Sequence, residues 1–422
     1  MTFMKTPKSS GRNFLTDRRR TVFPIGILTF ASALLASAPL LTAAEFKKIK
    51  LESQFLSEGA DLGDFNHDGK LDLVAGWLWF EGPGFSNRHE FNPPPAKPYD
   101  GEKSYSDYFL TYVYDFNGDR WDDILVFSWP GKEAAWYENP KGGGGHWPKH
   151  SIVTEADNES PTLGDMNGDG KPELICHTGG RFGFFEADWA HPDQPWKFIA
   201  ISPEDKQAIF RYTHGYGFGD LNGDGKPDLL EKNGWWEQPK DYRTGGNWKF
   251  HKTPFAPADK RGGAQMLVYD INRDGLADVV TSWDAHGYGL AWYEQVRRDG
   301  EITFKEHLLM NTKPEDNKQG VQFTQPHALT LADINGDGLM DFVTGKRFWA
   351  HGPKGDPESD APAVLYWFEL KRNGKDAEFI PHLVDNDSGV GTQITARDLN
   401  GDKKTDIISS NKKGLSVFIQ QP

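Results

Sequence analysis

The stretch Asp220-Leu-Asn-Gly-Asp-Gly-Lys-Pro-Asp228 sets the pattern from which the fold follows. It is the best-formed of seven copies of D-x-N-x-D-x-x-x-D/E, which are spaced 50 to 65 residues apart. Their first residues are Asp64, Asp115, Asp165, Asp220, Asp270, Asp333 and Asp398. A repeat of this length, with a short β pattern on either side, is typical of propellers and related arrays.

Each copy is surrounded by the same short strand patterns. One strand precedes the acidic loop, a second follows it, and a third carries paired aromatics and a glutamate, as in Trp235-Trp236-Glu237. A fourth strand begins with an aromatic, as in Trp248-Lys-Phe-His251. Four strands in each of seven repeats predict an all-β, seven-bladed β-propeller over residues 45–422. The segment from Phe46 to Leu51 resembles a fourth strand, so we expect it to pair with the last blade.

The acidic loops offer oxygen ligands at alternate positions, which suits a hard cation such as Ca²⁺. Glycine at position six permits a tight bend around the ion, although Arg120 and Lys403 stand there in the second and seventh copies. An EF-hand would need a bidentate glutamate at position twelve and a helix on each side, so these strand-flanked loops are a different site. Ordinary Asn/Asp turns are the alternative. We expect up to seven structural Ca²⁺ ions.

The predicted calcium ligands are the side chains at positions one, three, five and nine of each loop. They are Asp64, Asn66, Asp68, Asp72, Asp115, Asn117, Asp119, Asp123, Asp165, Asn167, Asp169, Glu173, Asp220, Asn222, Asp224, Asp228, Asp270, Asn272, Asp274, Asp278, Asp333, Asn335, Asp337, Asp341, Asp398, Asn400, Asp402 and Asp406.

The composition argues against one class of partner. The net charge is −14, and it would be about −19 without residues 1–44, which carry six Lys/Arg and one Asp. Such acidity does not favour phosphate backbones, so nucleic acid is not an expected partner. Cys176 is the only cysteine, so the chain cannot form an internal disulfide. Metal ions are therefore the expected cross-links of the loops.

The first 44 residues resemble an export signal. Arg18, Arg19 and Arg20 precede an apolar run from Val22 to Leu41, and the small residues 42–44 follow. This order predicts a signal peptide over residues 1–44 and a periplasmic or extracellular protein, by a Sec or a Tat route. A membrane anchor is the alternative, but the interrupted run falls short of the ~20 apolar residues that span a bilayer. We therefore expect no membrane span after cleavage.

A second group of polar residues is predicted on the face opposite the loops. The residue six positions before each first Asp begins the first strand, roughly 20 Å from the loop at ~3.3 Å per residue. Four of these seven residues are His or Glu, namely Glu58, Glu159, His214 and His327. Imidazoles beside carboxylates suit Zn²⁺ or another divalent transition metal. The pattern favours a metal or acid–base site, and the alternative is a wet channel lined by polar groups.

The turn after the second strand opens on the same face. It contributes the candidate catalytic residues His177, His286, Lys346, Arg347 and His351. Other histidines recur at one position of the fourth strand, which indicates a scaffold role. These are His150, His251, His307 and His382.

The repeats resemble the FG-GAP (VCBS) family, which includes integrin-type propellers. That resemblance implies structural calcium on one face and ligand binding on the other. The segments Thr213–Asp220, Gly234–Pro239 and Gln325–Ala328 are similar to the propeller of aldos-2-ulose dehydratases. Those enzymes remove water from oxidised sugars such as 1,5-anhydrofructose and use a metal in the propeller, so the resemblance implies that His214 and His327 hold a metal. The resemblance covers the propeller of that family and does not extend to its further C-terminal β-domains.

Two functions follow from these patterns. The first is an exported metal-dependent lyase or isomerase that acts on a keto-sugar or related glycoside by β-elimination or enolisation. In it His286 or His351 would remove the proton next to the carbonyl, and Lys346 and Arg347 would hold an oxyanion or a sugar hydroxyl. The second is a non-catalytic extracellular propeller that binds a glycan or a protein. A polysaccharide lyase with a deep cationic channel fits the acidity poorly.

Overall fold

The chain is built almost entirely of short β-strands, because short runs of β-branched and aromatic residues are separated by turns rich in Asn, Asp and Gly. The computed structural model describes residues 44–243 and 248–422. These residues form 27 strands and one short 3-10 helix, Pro314–Asp316. The all-β prediction is confirmed. The predicted signal peptide lies outside the described residues except for Ala44.

The strands pair in antiparallel groups of four. The first group is β2 (Asp61–Gly63), β3 (Asp72–Ala75), β4 (Leu78–Phe80) and β5 (Arg88–Glu90). The second group is β6 (Leu110–Tyr114), β7 (Asp123–Phe127), β8 (Lys132–Tyr137) and the first half of β9 (Lys149–Gly164). The third group is the second half of β9 with β10 (Glu173–His177), β11 (Gly183–Glu186) and β12 (Lys197–Ala200).

The next two groups form one eight-stranded sheet. One is β13 (Tyr216–Gly219), β14 (Asp228–Glu231), β15 (Gly234–Glu237) and β16 (Lys249–Lys252). The other is β17 (Gln265–Tyr269), β18 (Asp278–Ser282), β19 (Leu290–Arg298) and β20 (Glu301–Met310). A short parallel pairing of β13 with β17 joins them. The long strand β9 joins the second and third groups into one sheet, because its first half pairs with β8 and its second half pairs with β10.

The last two groups are separate four-stranded sheets. One is β21 (Pro326–Ala332), β22 (Asp341–Lys346), β23 (Leu365–Asn373) and β24 (Asp376–Asp385). The other is β25 (Thr395–Arg397), β26 (Asp406–Asn411), β27 (Gly414–Gln420) and the N-terminal β1 (Phe46–Glu52). The expected pairing of the N-terminal segment with the last repeat is confirmed by the register from Phe46↔Gln420 to Glu52↔Leu415. The whole arrangement is compatible with a propeller-like fold.

The aromatic third strands form much of the core, as their sequence predicts. Trp136, Trp235 and Trp367 are fully buried. In five groups a third-strand Trp stacks on a fourth-strand His at 3.9–4.4 Å between ring centroids, and the His Nε2 lies 2.7–2.9 Å from a glutamate. The histidines are His89, His150, His251, His307 and His382. Their repetition identifies them as parts of the scaffold.

Candidate functional site

The seven acidic loops share one hydrogen-bond pattern. In the fourth loop the Asp220 carboxylate accepts the backbone N–H groups of Asp224 and Gly225, at 3.1 and 2.8 Å. Asn222 Oδ1 accepts the Asp224 N–H at 2.8 Å, and Asp228 accepts the Leu221 N–H at 3.0 Å. Equivalent bonds recur in every other loop. Each loop thus gathers several carboxylate and amide oxygens in one turn.

The two loops without glycine at position six keep the same geometry. Arg120 has φ of 72° and Lys403 has φ of 67°, which is the left-handed conformation that glycine adopts freely. Both residues still donate their backbone N–H to the first carboxylate of the loop, at 2.8 Å. The substitution therefore costs conformational strain without changing the arrangement of the oxygens.

The carboxylate at position nine of each loop is fully buried, at the start of the second strand. Burial raises the pKa of Asp123 and of Glu173 to about 8 in each case, and the neighbouring loop carboxylates add to this rise. The same cause raises the pKa of Asp228, Asp278 and Asp341 to about 7. Several carboxylates held together favour a cation between them, and an all-oxygen donor set fits Ca²⁺.

A different kind of cluster joins three residues near the starts of first strands to His286, which lies in the turn after the second strand β18. Glu159, His214, His286 and His327 are buried, and one ligand atom from each lies within 4.8 Å of all the others. His214 Nε2 is 2.9 Å from His286 Nε2, and His327 Nε2 is 3.2 Å from Glu159 Oε2. His214 Nε2 lies 3.6 Å from the same carboxylate oxygen. Three imidazole nitrogens and one oxygen therefore converge, and that donor set fits Zn²⁺ or a similar divalent ion.

Electrostatics favour the charge states that a metal needs. Burial alone would raise the pKa of Glu159, but the His214 and His327 rings and the Arg347 guanidinium hold it well below its usual range. Burial lowers the pKa of His286 to about 4. Burial and the Arg347 charge lower the pKa of His327 well below its usual value. The cluster thus combines an ionised carboxylate with neutral imidazoles at His286 and His327, which are the ligand forms of both groups.

Arg347 connects the cluster to Glu58. Its Nη1 lies 3.2 Å from Glu159 Oε2, and its Nη2 lies 3.3 Å from Glu58 Oε1. All three side chains are buried. Glu58 is not a member of the four-residue cluster and contacts Arg347 instead. Of the predicted set, Glu159, His214 and His327 are brought together, His286 is an additional ligand candidate, and Glu58 is connected to them only through Arg347.

The other predicted catalytic residues lie in different surroundings. His351 is partly exposed, and its Nδ1 lies 2.9 Å from Asp356 Oδ1. His177 Nε2 lies 3.1 Å from the Phe210 carbonyl, and burial lowers the pKa of His177 to about 4. Lys346 Nζ donates to Thr324 Oγ1 at 2.9 Å and to the Glu358 carbonyl, so it holds the turn that carries Asp356.

A cavity of about 680 Å³ opens onto the cluster. Its wall includes Glu159, His214, His286 and His351. Phe210 and Tyr212 stand at its rim and are 52% and 37% exposed, although large hydrophobic side chains are otherwise mostly buried. The remaining lining includes Tyr105, Trp129, Glu231, Lys232, Asn233 and Arg261. The cavity therefore offers aromatic surface and hydrogen-bonding groups beside the cluster, which suits a polar small molecule.

Sequence reasoning missed two carboxylates at this site. Asp356 Oδ1 lies 3.6 Å from His286 Nδ1, and nothing in the sequence reveals that an inserted turn returns to that histidine. Glu231 does carry a signal, because it ends the second strand of its repeat, eleven positions after the first Asp. The equivalent residues of the other repeats have no carboxylate. They are Ala75, Val126, Cys176, Thr281, Thr344 and Ser409.

Comparisons with known proteins identify the repeats. A family model described as "FG-GAP-like repeat" matches residues 115–176 and 270–344, so these two segments are FG-GAP-like repeats, in agreement with the resemblance of the sequence. A search of curated proteins found no match. No helix among residues 44–243 and 248–422 is long and apolar enough to cross a membrane.

Three solved structures share low similarity with the chain. A Photorhabdus luminescens Tc holotoxin pore is 16% identical over 74% of this chain and 14% of its own, with a TM-score of 0.38. The AofleA protein of Arthrobotrys oligospora is 11% identical over 74% of this chain and 86% of its own, with a TM-score of 0.40. The rhamnogalacturonan lyase YesW is 14% identical over 88% of this chain and 75% of its own, with a TM-score of 0.41. At these values none of the three informs the function of this chain.

Proposed function

We propose that this protein is an exported metal-dependent lyase or isomerase that acts on a keto-sugar or related glycoside. The observation that carries the proposal is the buried convergence of Glu159, His214, His286 and His327, of which Glu159, His214 and His286 line an open cavity. Burial of three histidines and an ionised carboxylate costs free energy unless the groups bind a ligand or hydrogen-bond to one another. Their position beside open space favours a reactive centre.

We propose further that the four-stranded groups are the seven blades of a β-propeller. First strands of successive groups contact one another, as in β2 with β6, β9 with β13, β17 with β21 and β21 with β25. The last group returns to the first, because Thr395 Oγ1 donates to the Ala60 carbonyl at 2.6 Å. Such closure protects sheet edges. The seven acidic loops would then hold structural Ca²⁺ away from the cavity.

The residues of the cluster and several of their neighbours have roles in the proposed reaction. When bound by Glu159, His214, His286 and His327, the metal would supply Lewis acidity to a sugar carbonyl. His351 is the base, because Asp356 at 2.9 Å holds its Nδ1 and leaves Nε2 free to take the proton next to the carbonyl. Arg347 keeps Glu159 ionised by its charge. Phe210 and Tyr212 offer rings on which the apolar face of a sugar can lie.

Turnover of a β-elimination substrate tests this proposal. The probes are 1,5-anhydrofructose and methyl 3-keto-β-D-glucopyranoside, whose elimination forms a conjugated enone that is followed by ultraviolet absorbance. We expect the wild-type protein to form the enone and the His214→Ala, His327→Ala double variant to lose it. We expect His351→Ala to lower the rate by about 10²- to 10⁴-fold, the usual contribution of a general base. His191→Ala is the matched control, because His191 is an exposed histidine in a connection.

Full activity in the double variant would contradict the mechanism. Absence of turnover by wild-type protein, together with retention of a glycan without change, would favour the second function, a binding propeller. The specific observation in its favour is the exposed pair Phe210 and Tyr212 at the rim of the cavity.

A further inference from the structure

Glu231 is a buried carboxyl group on the cavity wall that the proposed chemistry has not yet used. It ends strand β14 and is 5% exposed. Its Oε2 accepts both the backbone N–H of Asn233, at 2.8 Å, and the Asn233 side-chain amide, at 3.1 Å. Its Oε1 has no hydrogen-bond partner among the residues that the structure describes. One oxygen is thus fixed in place while the other is free for a ligand in the cavity.

The Glu231 turn lies beside the histidine cluster. Strand β14 pairs with β13 so that Glu231 is opposite Tyr216, two residues after His214. Gly262 lies between the two segments. A Cβ at this position would be only 2.7 Å from the His214 carbonyl oxygen and 3.4 Å from Lys232 Cδ. Glu231, His214, His286 and His351 all line the same cavity. A molecule bound there can therefore meet the cluster and Glu231 together.

Two other proton donors of the cavity wall, Lys232 and Tyr105, are already engaged. Lys232 Nζ donates to the Lys260 carbonyl at 2.6 Å. The Tyr105 hydroxyl donates to the Ala350 carbonyl at 2.5 Å. Glu159 Oε2 contacts His327 Nε2 and Arg347 Nη1, both at 3.2 Å. Of the two carboxyl groups that the structure describes on the cavity wall, Glu231 is therefore the one that lies outside the histidine cluster.

We infer that Glu231 is the general acid that protonates the leaving oxygen in the elimination, a role that rests on the proposed function. His351 takes the proton next to the carbonyl, and the electron pair of that C–H bond forms the carbon–carbon double bond. The C–O bond at the neighbouring carbon breaks, and its oxygen leaves with the proton from Glu231. The products are an unsaturated keto-sugar and water or an alcohol, and the proton then returns from His351 to Glu231 through solvent.

The environment of Glu231 supports this role. Burial raises the pKa of Glu231 to about 7, so a large share of the carboxyl group keeps its proton near neutral pH. A carboxyl group whose pKa lies near the working pH is suited to general acid catalysis. The substrate class that this arrangement serves is a keto-glycoside with a basic leaving group, which needs protonation in order to depart.

A comparison of leaving groups tests the inference. The probes are methyl and 4-nitrophenyl 3-keto-β-D-glucopyranoside, which differ in whether the leaving oxygen requires a proton. With Glu231→Gln we expect kcat/KM to fall about 10²- to 10⁴-fold for the methyl glycoside, the usual range for general acid catalysis, and less than about 10-fold for the nitrophenyl glycoside. Glu231→Asp, which keeps the carboxyl group, should restore part of the lost rate. The matched control is Glu301→Gln, at an exposed glutamate on β20.

Each outcome decides between the inference and the proposed function. Equal losses for the two glycosides, or no loss for either, would overturn the role of Glu231 while leaving the elimination intact. Turnover of neither glycoside by the wild-type protein would overturn the proposed function and this role with it. Thermal unfolding of the variants separates a catalytic loss from a folding defect.

Discussion

The acidic loops and the histidine cluster both gather potential metal ligands, yet they differ in repetition, donor atoms and burial. The loops repeat one set of hydrogen bonds in all seven copies and offer only oxygen. The cluster draws Glu159, His214, His286 and His327 from four successive repeats and offers nitrogen and oxygen in a buried place. Features shared by every repeat belong to the scaffold, and departures from the repeat mark the residues that we propose to be functional.

Removal of Ca²⁺ should produce the largest effect on the scaffold. Binding to the folded state alone adds about 2.7 kcal/mol per site when the free ion is at 100 times its Kd. We therefore expect EGTA to lower the unfolding temperature strongly, and the Asp220→Asn, Asp224→Asn double variant to lose one ion and about 2.7 kcal/mol. Calorimetry with and without Ca²⁺ measures the unfolding temperature and the free energy of unfolding. The control is Asp299→Asn, at an exposed residue outside the loops. An unfolding temperature that EGTA leaves unchanged would contradict loop binding.

The Ca²⁺-free protein should lose stability as the pH rises. The ordinary pKa values of Asp123 and Glu173 are 3.8 and 4.5, and burial raises both to about 8 in the folded state. Because the folded state then binds more protons than the unfolded state, this contribution is full below pH 4 and is lost as the pH rises towards 8.

Urea unfolding at pH 5 and pH 8 checks this sign. We expect a smaller free energy of unfolding at pH 8 without Ca²⁺, and a larger benefit from added Ca²⁺ at pH 8 than at pH 5. Glu173→Gln removes one of these titrating groups, so the free energy of unfolding should depend less steeply on pH. A Ca²⁺-free protein that gains stability between these pH values would contradict the account of the loops.

The smallest effect is expected from a scaffold histidine. His251 stacks on Trp235 at 3.9 Å and lies 2.7 Å from Glu237. His251→Ala should cost about 1 kcal/mol of unfolding free energy, as one aromatic pair and one hydrogen bond would. Turnover and transition-metal content should stay unchanged. A loss of either would erase the distinction between the scaffold histidines and those of the cluster.

The repeat explains how much of this molecule the sequence predicts. Asp220 to Asp228 and its six relatives predict the strands around them, and Phe46 predicts the pairing of β1 with β27. His214, His327 and Glu159 are predicted as a group because equivalent positions in a repeat lie near one another in space. Asp356 is not predictable in this way, because its contact with His286 depends on how an inserted turn folds back.

Metal analysis of the purified protein tests the central claim most directly. Inductively coupled plasma mass spectrometry would be applied to wild-type protein and to the His214→Ala, His327→Ala double variant, both correctly folded by circular dichroism. We predict about one transition-metal ion per wild-type chain and none in the double variant, with an equal Ca²⁺ content in both. Ca²⁺ as the only metal of the wild-type protein, or a transition metal that the double variant retains, would contradict a metal centre in the histidine cluster.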